Sequence, residues 1–195
     1  MSLEKLLIQQ CKEPQGWLGQ LMLKIMNTTY HRTIIWALST VEKQDNLTIL
    51  DIGCGGGKVL KILSQSYKNS AVFGVDIAIE AINSSTRLNK QAVDDGKVVI
   101  TQASVSELPY NNDYFDLVTA FHTHYFWPNL TSDLQEVLRV VKVNGKFILV
   151  SELYKMKYHL TEFNDIDTTL ELLSGLFSSV EIYFQNKSVC FVCTK

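Results

Sequence analysis

Three features are scarce in this 195-residue chain, and each scarcity narrows the field. It has four cysteines, Cys11, Cys54, Cys190 and Cys193, scattered along the sequence. That is too few and too dispersed for a disulfide framework, and it suits a reducing compartment. The Cys190-x-x-Cys193 pair lies in a strand-like run, where residues three apart face opposite sides of a sheet, so the two thiols are poorly placed to share a metal or a bridge. No lysine or arginine cluster appears and the formal charge is −2, so there is no basic field for nucleic acid. No apolar run approaches the length of a membrane span. The opening stretch, "MSLEKLLIQQCKEP", lacks a basic segment followed by a long apolar one, so no secretory signal is expected. Repeats, low-complexity segments and linker composition are missing too. A soluble cytoplasmic chain forming one domain over 1–195 is the expectation.

What is present is an ordinary globular balance, 46% apolar and 19% charged, with a strong alternation of periods. Apolar β-branched runs at Leu47 to Ile52, Ala71 to Asp76, Lys97 to Ala103 and Tyr114 to Phe121 read as strands. Helix-period segments lie between or after them: "GKVLKILSQSY", "AIEAINSSTRLNKQAVDD" ending at Gly96, and "LTSDLQEVLRVVK". Asn144 and Gly145 predict a turn into a fifth strand, "KFILVSEL". Such alternation predicts a mostly parallel sheet with helices on both faces. The rhythm breaks at the end, where the helix "DIDTTLELLSGLF" precedes two strands, "SVEIYFQ" and "KSVCFVC", joined through Asn186 and Lys187. A tight connection makes a hairpin, so the last strand should run antiparallel to its neighbours. The expected fold is α/β, a Rossmann-like doubly wound seven-stranded sheet. Its parts are a helical cover over 1–46, a ligand-binding core over 47–153 and a C-terminal helix and hairpin over 154–195.

The first strand runs into "DIGCGGGK". Glycines between a strand and a helix let the backbone turn tightly and approach a ligand at the helix N-terminus. A P-loop would need a Ser or Thr after Lys58, where Val59 stands. A dinucleotide fingerprint would need its third glycine at Lys58, which disfavours a nicotinamide oxidoreductase. What remains is D-x-G-x-G-x-G. The carboxylate of Asp51 would repel a pyrophosphate and suits a ligand bearing an ammonium. Asp76, at the end of the second strand, is placed to take both hydroxyls of a ribose. A nucleoside with a cationic tail and no phosphate describes S-adenosylmethionine; the bland alternative is a loop whose glycines merely permit a turn.

The segments "ILDIGCGGG", "VFGVDIA" and "SELPYNNDYFDLVTA" resemble, in order, the motifs of class I S-adenosylmethionine-dependent methyltransferases. The similarity is greatest to the small-molecule branch that includes the quinone-biosynthesis C-methyltransferases. It covers roughly Leu47 to Leu153. The resemblance implies that Gly53, Cys54 and Gly55 approach the methionine part and ribose, and that Asp51 helps anchor the amino end. It further implies that Asp76 binds the ribose hydroxyls, that Ile77 packs on the adenine and that the Val105 N–H contacts it. Where the family commonly has an Asp accepting from the adenine amino group, this chain has Ser104, a neutral and weaker acceptor. Phe121 opens the loop that, in the family, lies beside the methionine part and faces the acceptor.

That loop reads "HTHYFWPN" from His122 to Asn129. Two histidines alone do not complete a metal site, which needs three or four ligands, so no metal is expected. His122, then His124, are candidates for a general base, since histidine titrates near neutrality; a strand-capping or surface role competes for each. Tyr125, Phe126 and Trp127 before a proline do not compose a solvated loop and are candidate pocket walls, with packing beneath the next helix as the alternative. The leading helices "GWLGQLMLKIMN" and "YHRTIIWALSTVEK" carry Trp17, Tyr30 and His31. Helical spacing of apolar groups there usually means core, but family likeness makes these three candidate substrate-pocket residues. The expected activity is methyl transfer to a small, partly apolar acceptor. A non-catalytic sensor of S-adenosylmethionine or S-adenosylhomocysteine is the alternative.

Overall fold

A computed structural model describes residues 3–195, with side chains from Ile8 onward. Met1 and Ser2, part of the expected cover, lie outside the described residues. Three helices lead, α1 (Leu3–Lys12), α2 (Gly16–Thr29) and α3 (His31–Leu38). Then β1 (Thr48–Ile52), α4 (Lys58–Ser66), β2 (Ala71–Asp76), the helix pair α5 (Ile79–Leu88) and α6 (Lys90–Asp94), and β3 (Val98–Gln102) follow. The chain continues through β4 (Phe115–Phe121), a short 3-10 turn at His124–Phe126, α7 (Leu130–Val140) and β5 (Val141–Glu152). It closes with α8 (Leu153–His159), α9 (Ile166–Leu176), β6 (Ser179–Gln185) and β7 (Ser188–Thr194).

The seven strands form one sheet in the order β3-β2-β1-β4-β5-β7-β6. The first five pair in parallel, while β7 runs antiparallel between β5 and β6, as the hairpin reading requires. Strand order reverses between β1 and β4, and in open α/β sheets ligands bind outside the carboxyl ends at such a switch point.

Period-two alternation divides the apolar side chains into two cores. Leu50, Ile52, Val118 and Ala120 face Leu134, Val137 and Val140 of α7 and Leu173 of α9. Ile49, Leu117, Ile148 and Val150 face Ile34 and Leu38 of α3 and Leu60 and Leu63 of α4. The central strands are apolar on both sides because both sides are covered. Cys193 belongs to the first core and Cys190 to the second. Both are free thiols on opposite faces. Among the described residues no helix is long and apolar enough to cross a membrane.

Three local expectations need correction. The long helix after β2 breaks at Asn89, whose side-chain amide donates to the Gly57 carbonyl at 3.0 Å and so is drawn into the glycine loop. Asn144 does take a left-handed φ of 63°, but the turn it makes is a bulge inside a strand already begun at Val141. The fifth strand then stops at Glu152 and the chain enters α8, a helix that the apolar run "KFILVSEL" conceals.

Candidate functional site

β1 delivers the chain into the glycine loop at the switch point. The N–H groups of Gly53 and Cys54 donate to the Val75 carbonyl at 2.8 and 3.0 Å, tying the loop to the end of β2. Gly53 has φ +71°, and a Cβ there would collide with the Thr123 side chain. Gly57 has φ +82°, and a Cβ would lie 2.6 Å from the Asn89 amide nitrogen. These positions therefore need glycine for two reasons, the left-handed backbone and the close approach of neighbours. From the other side, the Asn27 amide of α2 donates to the Gly56 carbonyl at 3.1 Å, fastening the N-terminal helices to the loop.

Asp76 organises the mouth of this cradle. Its Oδ2 accepts from the Gly55 N–H at 2.9 Å and its Oδ1 from the Ala78 N–H at 3.0 Å. Burial raises its pKa, and the backbone bonds from Ala78, Gly55 and Ile77 oppose that rise. Each carboxylate oxygen keeps a second acceptor position, so hydroxyl donors can be added without displacing the loop.

Asp51 lies beneath. It is 1% exposed, accepts from the Thr119 hydroxyl at 2.7 Å, and has no partner for Oδ2. Burial pushes its carboxyl up to about 8, the Thr119 bond opposes this and nearby Asp76 adds to it. A buried, half-satisfied carboxyl under a glycine cradle is a site that a cation can stabilise. It does not itself wall the cavity, and neither does Cys54, whose side chain packs into the core beside Leu60.

A cavity of about 450 Å³ opens in front of the loop. The structure brings Gly53, Gly55, Asp76, Ile77, Ser104, Val105, Phe121, His122, Tyr125, Phe126 and Trp127 together around it. Ile77 is 46% exposed at its rim, an apolar platform beside the Asp76 carboxylate. Ser104 lies across from it, its Oγ accepting from the Ser106 N–H at 3.2 Å. Leu23 and Met26 of α2 and Cys11 of α1 add to the walls of the cavity.

Of the catalytic and substrate-pocket candidates, Trp17, Tyr30, His31 and His124 do not wall this cavity. Trp17 is 77% exposed at the start of α2. His31 is exposed at the start of α3. Helical periodicity places a residue on a face but does not say which face covers the site.

The two histidines part company. His122 takes a left-handed φ of 56° at the end of β4, which turns the chain so that the two side chains meet different surroundings. Its ring walls the cavity, 5% exposed, and tilts against Tyr30 with centroids 4.2 Å apart. Neither of its ring nitrogens has a hydrogen-bond partner. His124, 1% exposed, bonds the Ser151 hydroxyl through Nε2 at 2.8 Å and belongs to the support of the loop. Beside it the Tyr125 hydroxyl accepts from the Glu152 N–H at 2.6 Å, pinning the loop to the end of β5.

Burial pulls both imidazoles down to about 3, with Lys155 and His124 adding to the effect at His122. The expectation that either titrates near neutrality is thereby corrected: desolvation disfavours the charged ring. At neutral pH both are uncharged. His122 presents its ring to the cavity while both of its nitrogens are enclosed, and it holds a proton only weakly.

Among the described residues no group of three or more His, Cys, Asp or Glu side chains is arranged to hold a metal ion. The donors fit an adenosyl sulfonium instead. They comprise backbone turned inward by left-handed glycines and a doubly anchored carboxylate with acceptor capacity to spare.

Residues 50–149 match the family model described as a methyltransferase domain. An uncharacterised protein of Methanocaldococcus jannaschii is 34% identical over 136 residues, 69% of this chain and 49% of that protein. A ubiquinone/menaquinone biosynthesis C-methyltransferase of Rickettsia rickettsii is 28% identical over 169 residues, 80% of this chain and 66% of that one. The chain thus spans about half of the first and just under two thirds of the second. A crystal structure of a SAM-dependent methyltransferase from Aquifex aeolicus superimposes with TM-score 0.70 at 14% identity, covering 88% of this chain and 96% of that one; this likeness concerns the fold.

Proposed function

Since the chain belongs to the methyltransferase domain family, we propose that it binds S-adenosylmethionine and transfers the methyl group to a small, partly apolar acceptor. One observation carries the reading. The Asp76 carboxylate at the end of β2 is bonded to the Gly55 N–H of the loop, and both face a cavity that ends on an aromatic wall. A nucleoside-binding acid and a close-approach backbone are thereby fixed in one rigid unit.

S-adenosylmethionine supplies the activated methyl, so the protein's work is positioning, water exclusion and proton handling. Asp76 takes the ribose hydroxyls, Ile77 supports the adenine, and Ser104 with the Val105 N–H faces the base edge. Asp51 lies beneath the loop, outside the cavity lining, where its bond from the Thr119 hydroxyl ties β1 to β4 under the cradle. Phe121, Phe126 and Trp127 exclude water from the reacting end, and their rings favour a cation there. His122, uncharged, accepts a hydrogen bond from the acceptor once its ring turns a nitrogen, now enclosed, into the cavity. A strong base is needed only where the accepting atom carries a proton of high pKa.

A methyl-release assay with labelled S-adenosylmethionine over a panel of oxygen, nitrogen, carbon and sulfur nucleophiles tests the reading. Turnover with at least one class is expected. Binding of S-adenosylmethionine or S-adenosylhomocysteine with no turnover across the panel would instead favour a sensor. In the active case, His122→Ala should lower turnover at saturating cofactor by about tenfold to a hundredfold. Full turnover in that variant removes His122 from the reaction.

A further inference from the structure

Beside the cavity in front of the glycine loop lies a second one of about 420 Å³. Cys11, Met26, His122, Tyr125 and Phe126 wall both spaces. Tyr30 and the 58% exposed Tyr154 add aromatic walls, and Lys155 brings the chamber an ammonium. Among the described residues, the other titratable side chains that line it are thiols, phenols and imidazoles, namely Cys11, Tyr30, His122, Tyr125, Tyr154, Tyr158 and His159, with no carboxylate among them.

Lys155 is firmly held. It stands on the first turn of α8, three residues after Glu152, and pairs with that carboxylate at 2.6 Å. It also donates to the Tyr30 hydroxyl. Its Nζ lies 4.8 Å from the centroid of the Tyr30 ring and 5.7 Å from that of Tyr154. Burial works against its charge, but Glu152 and Tyr30 outweigh it and the pKa is raised. Glu152 does not wall the chamber, so what the chamber meets is the ammonium and not its counter-ion. An ammonium has three donors, and Glu152 and Tyr30 take two. The Tyr30 ring in turn leans on His122. The Lys155–Tyr30 pair therefore ends on the wall shared with the cofactor cavity.

We propose that this second chamber holds the acceptor as an aromatic oxyanion, a carboxylate or phenolate gripped by Lys155 with its ring between the tyrosine and phenylalanine walls. Lys155 is then the residue that selects anionic aromatic acceptors over amines. An aromatic cation is disfavoured because Lys155 already faces Tyr30 and Tyr154 and would repel it. The term acceptor rests on the methyl-transfer reading; the binding preference does not.

The test is a calorimetric titration with three probes of similar breadth: naphthoate, para-nitrophenol above its pKa, and naphthylmethylammonium. Naphthoate or nitrophenolate should bind about tenfold or more tighter than the cation, which is the yield of one charge-assisted hydrogen bond. The two anion arms distinguish a carboxylate site from a phenolate site. Lys155→Met should erase the preference and leave S-adenosylhomocysteine affinity within about twofold, since Lys155 does not wall the first cavity. Where Lys155→Met fails to fold because Glu152 is left unpaired, Glu152→Gln/Lys155→Met removes both charges and serves instead. A wild-type protein that binds none of the probes, or shows no charge preference, overturns the proposal. So does a preference that survives loss of Lys155. Failure to bind S-adenosylhomocysteine in the same samples would overturn the cofactor assignment separately, leaving the probe result to be judged alone.

Discussion

Asp76→Ala is expected to abolish measurable binding of S-adenosylmethionine and S-adenosylhomocysteine, a loss of about a hundredfold or more. Two effects combine. The carboxylate supplies the acceptors for the ribose hydroxyls, and charge-assisted bonds of that kind each contribute about 1.5–3 kcal/mol. It also restrains the loop itself by accepting from Gly55 and Ala78 at 2.9 and 3.0 Å. Removing it orphans both N–H groups and unties the cradle before any ligand arrives. Equilibrium dialysis with labelled cofactor measures the first effect, and a thermal melt confirms that the variant is folded. Asp76→Asn should lie between, because its one carbonyl oxygen can serve only one of the two N–H groups. Affinity unchanged in a folded Asp76→Ala variant would remove Asp76 from the ribose.

Thermal stability is expected to peak near pH 6.5 and to fall on either side. On the acid side, His122 and His124 have folded values near 3 against an ordinary 6.5. Below 6.5 the unfolded chain takes up protons that the folded chain refuses, so each histidine costs about 1.4 kcal/mol per pH unit until about pH 3. Asp51 acts in the opposite sense. Its folded value near 8 exceeds its ordinary 3.8, so the stability it lends is full below 3.8 and is lost as pH rises toward 8. Between 6.5 and 8 the histidines no longer oppose it, and Asp51 lowers stability by about 1.4 kcal/mol per unit. Between 3.8 and 6.5 the two histidines oppose it, for a net loss on acidification of about the same slope. Asp76, raised in the same direction as Asp51, flattens the lower end of that limb.

Melting temperatures from pH 4 to 9 check this. Asp51→Asn should remove the alkaline limb, and His124→Asn, which keeps a polar group for Ser151, should roughly halve the histidine contribution on the acid side. A flat profile from 6.5 to 8 that Asp51→Asn leaves unchanged would show that the carboxyl is not held protonated.

Much of this was legible in the residues. Every strand but the fifth emerged within a residue or two where apolar β-branched runs were bounded by turn residues, and the final antiparallel strand followed from the tight Asn186–Lys187 connection; the fifth begins at Val141, before the Asn144–Gly145 bulge that reads as a turn. The glycine loop and Asp76 were legible because spacing alone sets them at the ends of adjacent strands. Lys155 was not. The run "KFILVSEL" passes into α8 with no glycine, proline or side-chain cap to mark the change, since Glu152 makes no capping bond. Without the helix there is no i, i+3 relation between Glu152 and Lys155. The two histidines were half legible. Strand alternation would put residues 122 and 124 on one face, but the left-handed backbone at His122 breaks that period. Burial then removed the neutral pKa on which the base reading relied. Trp17 and His31 show a limit of periodicity of another kind: aromatic residues on a covering helix can face outward.

The most direct test of the central claim is calorimetric titration of the wild-type protein with S-adenosylhomocysteine, with NADH titrated in parallel. Saturable one-to-one binding of the former and no heat from the latter is the expected result. No binding of S-adenosylhomocysteine, or binding of NADH in its place, would contradict the assignment of the glycine loop and Asp76 to an adenosyl sulfonium.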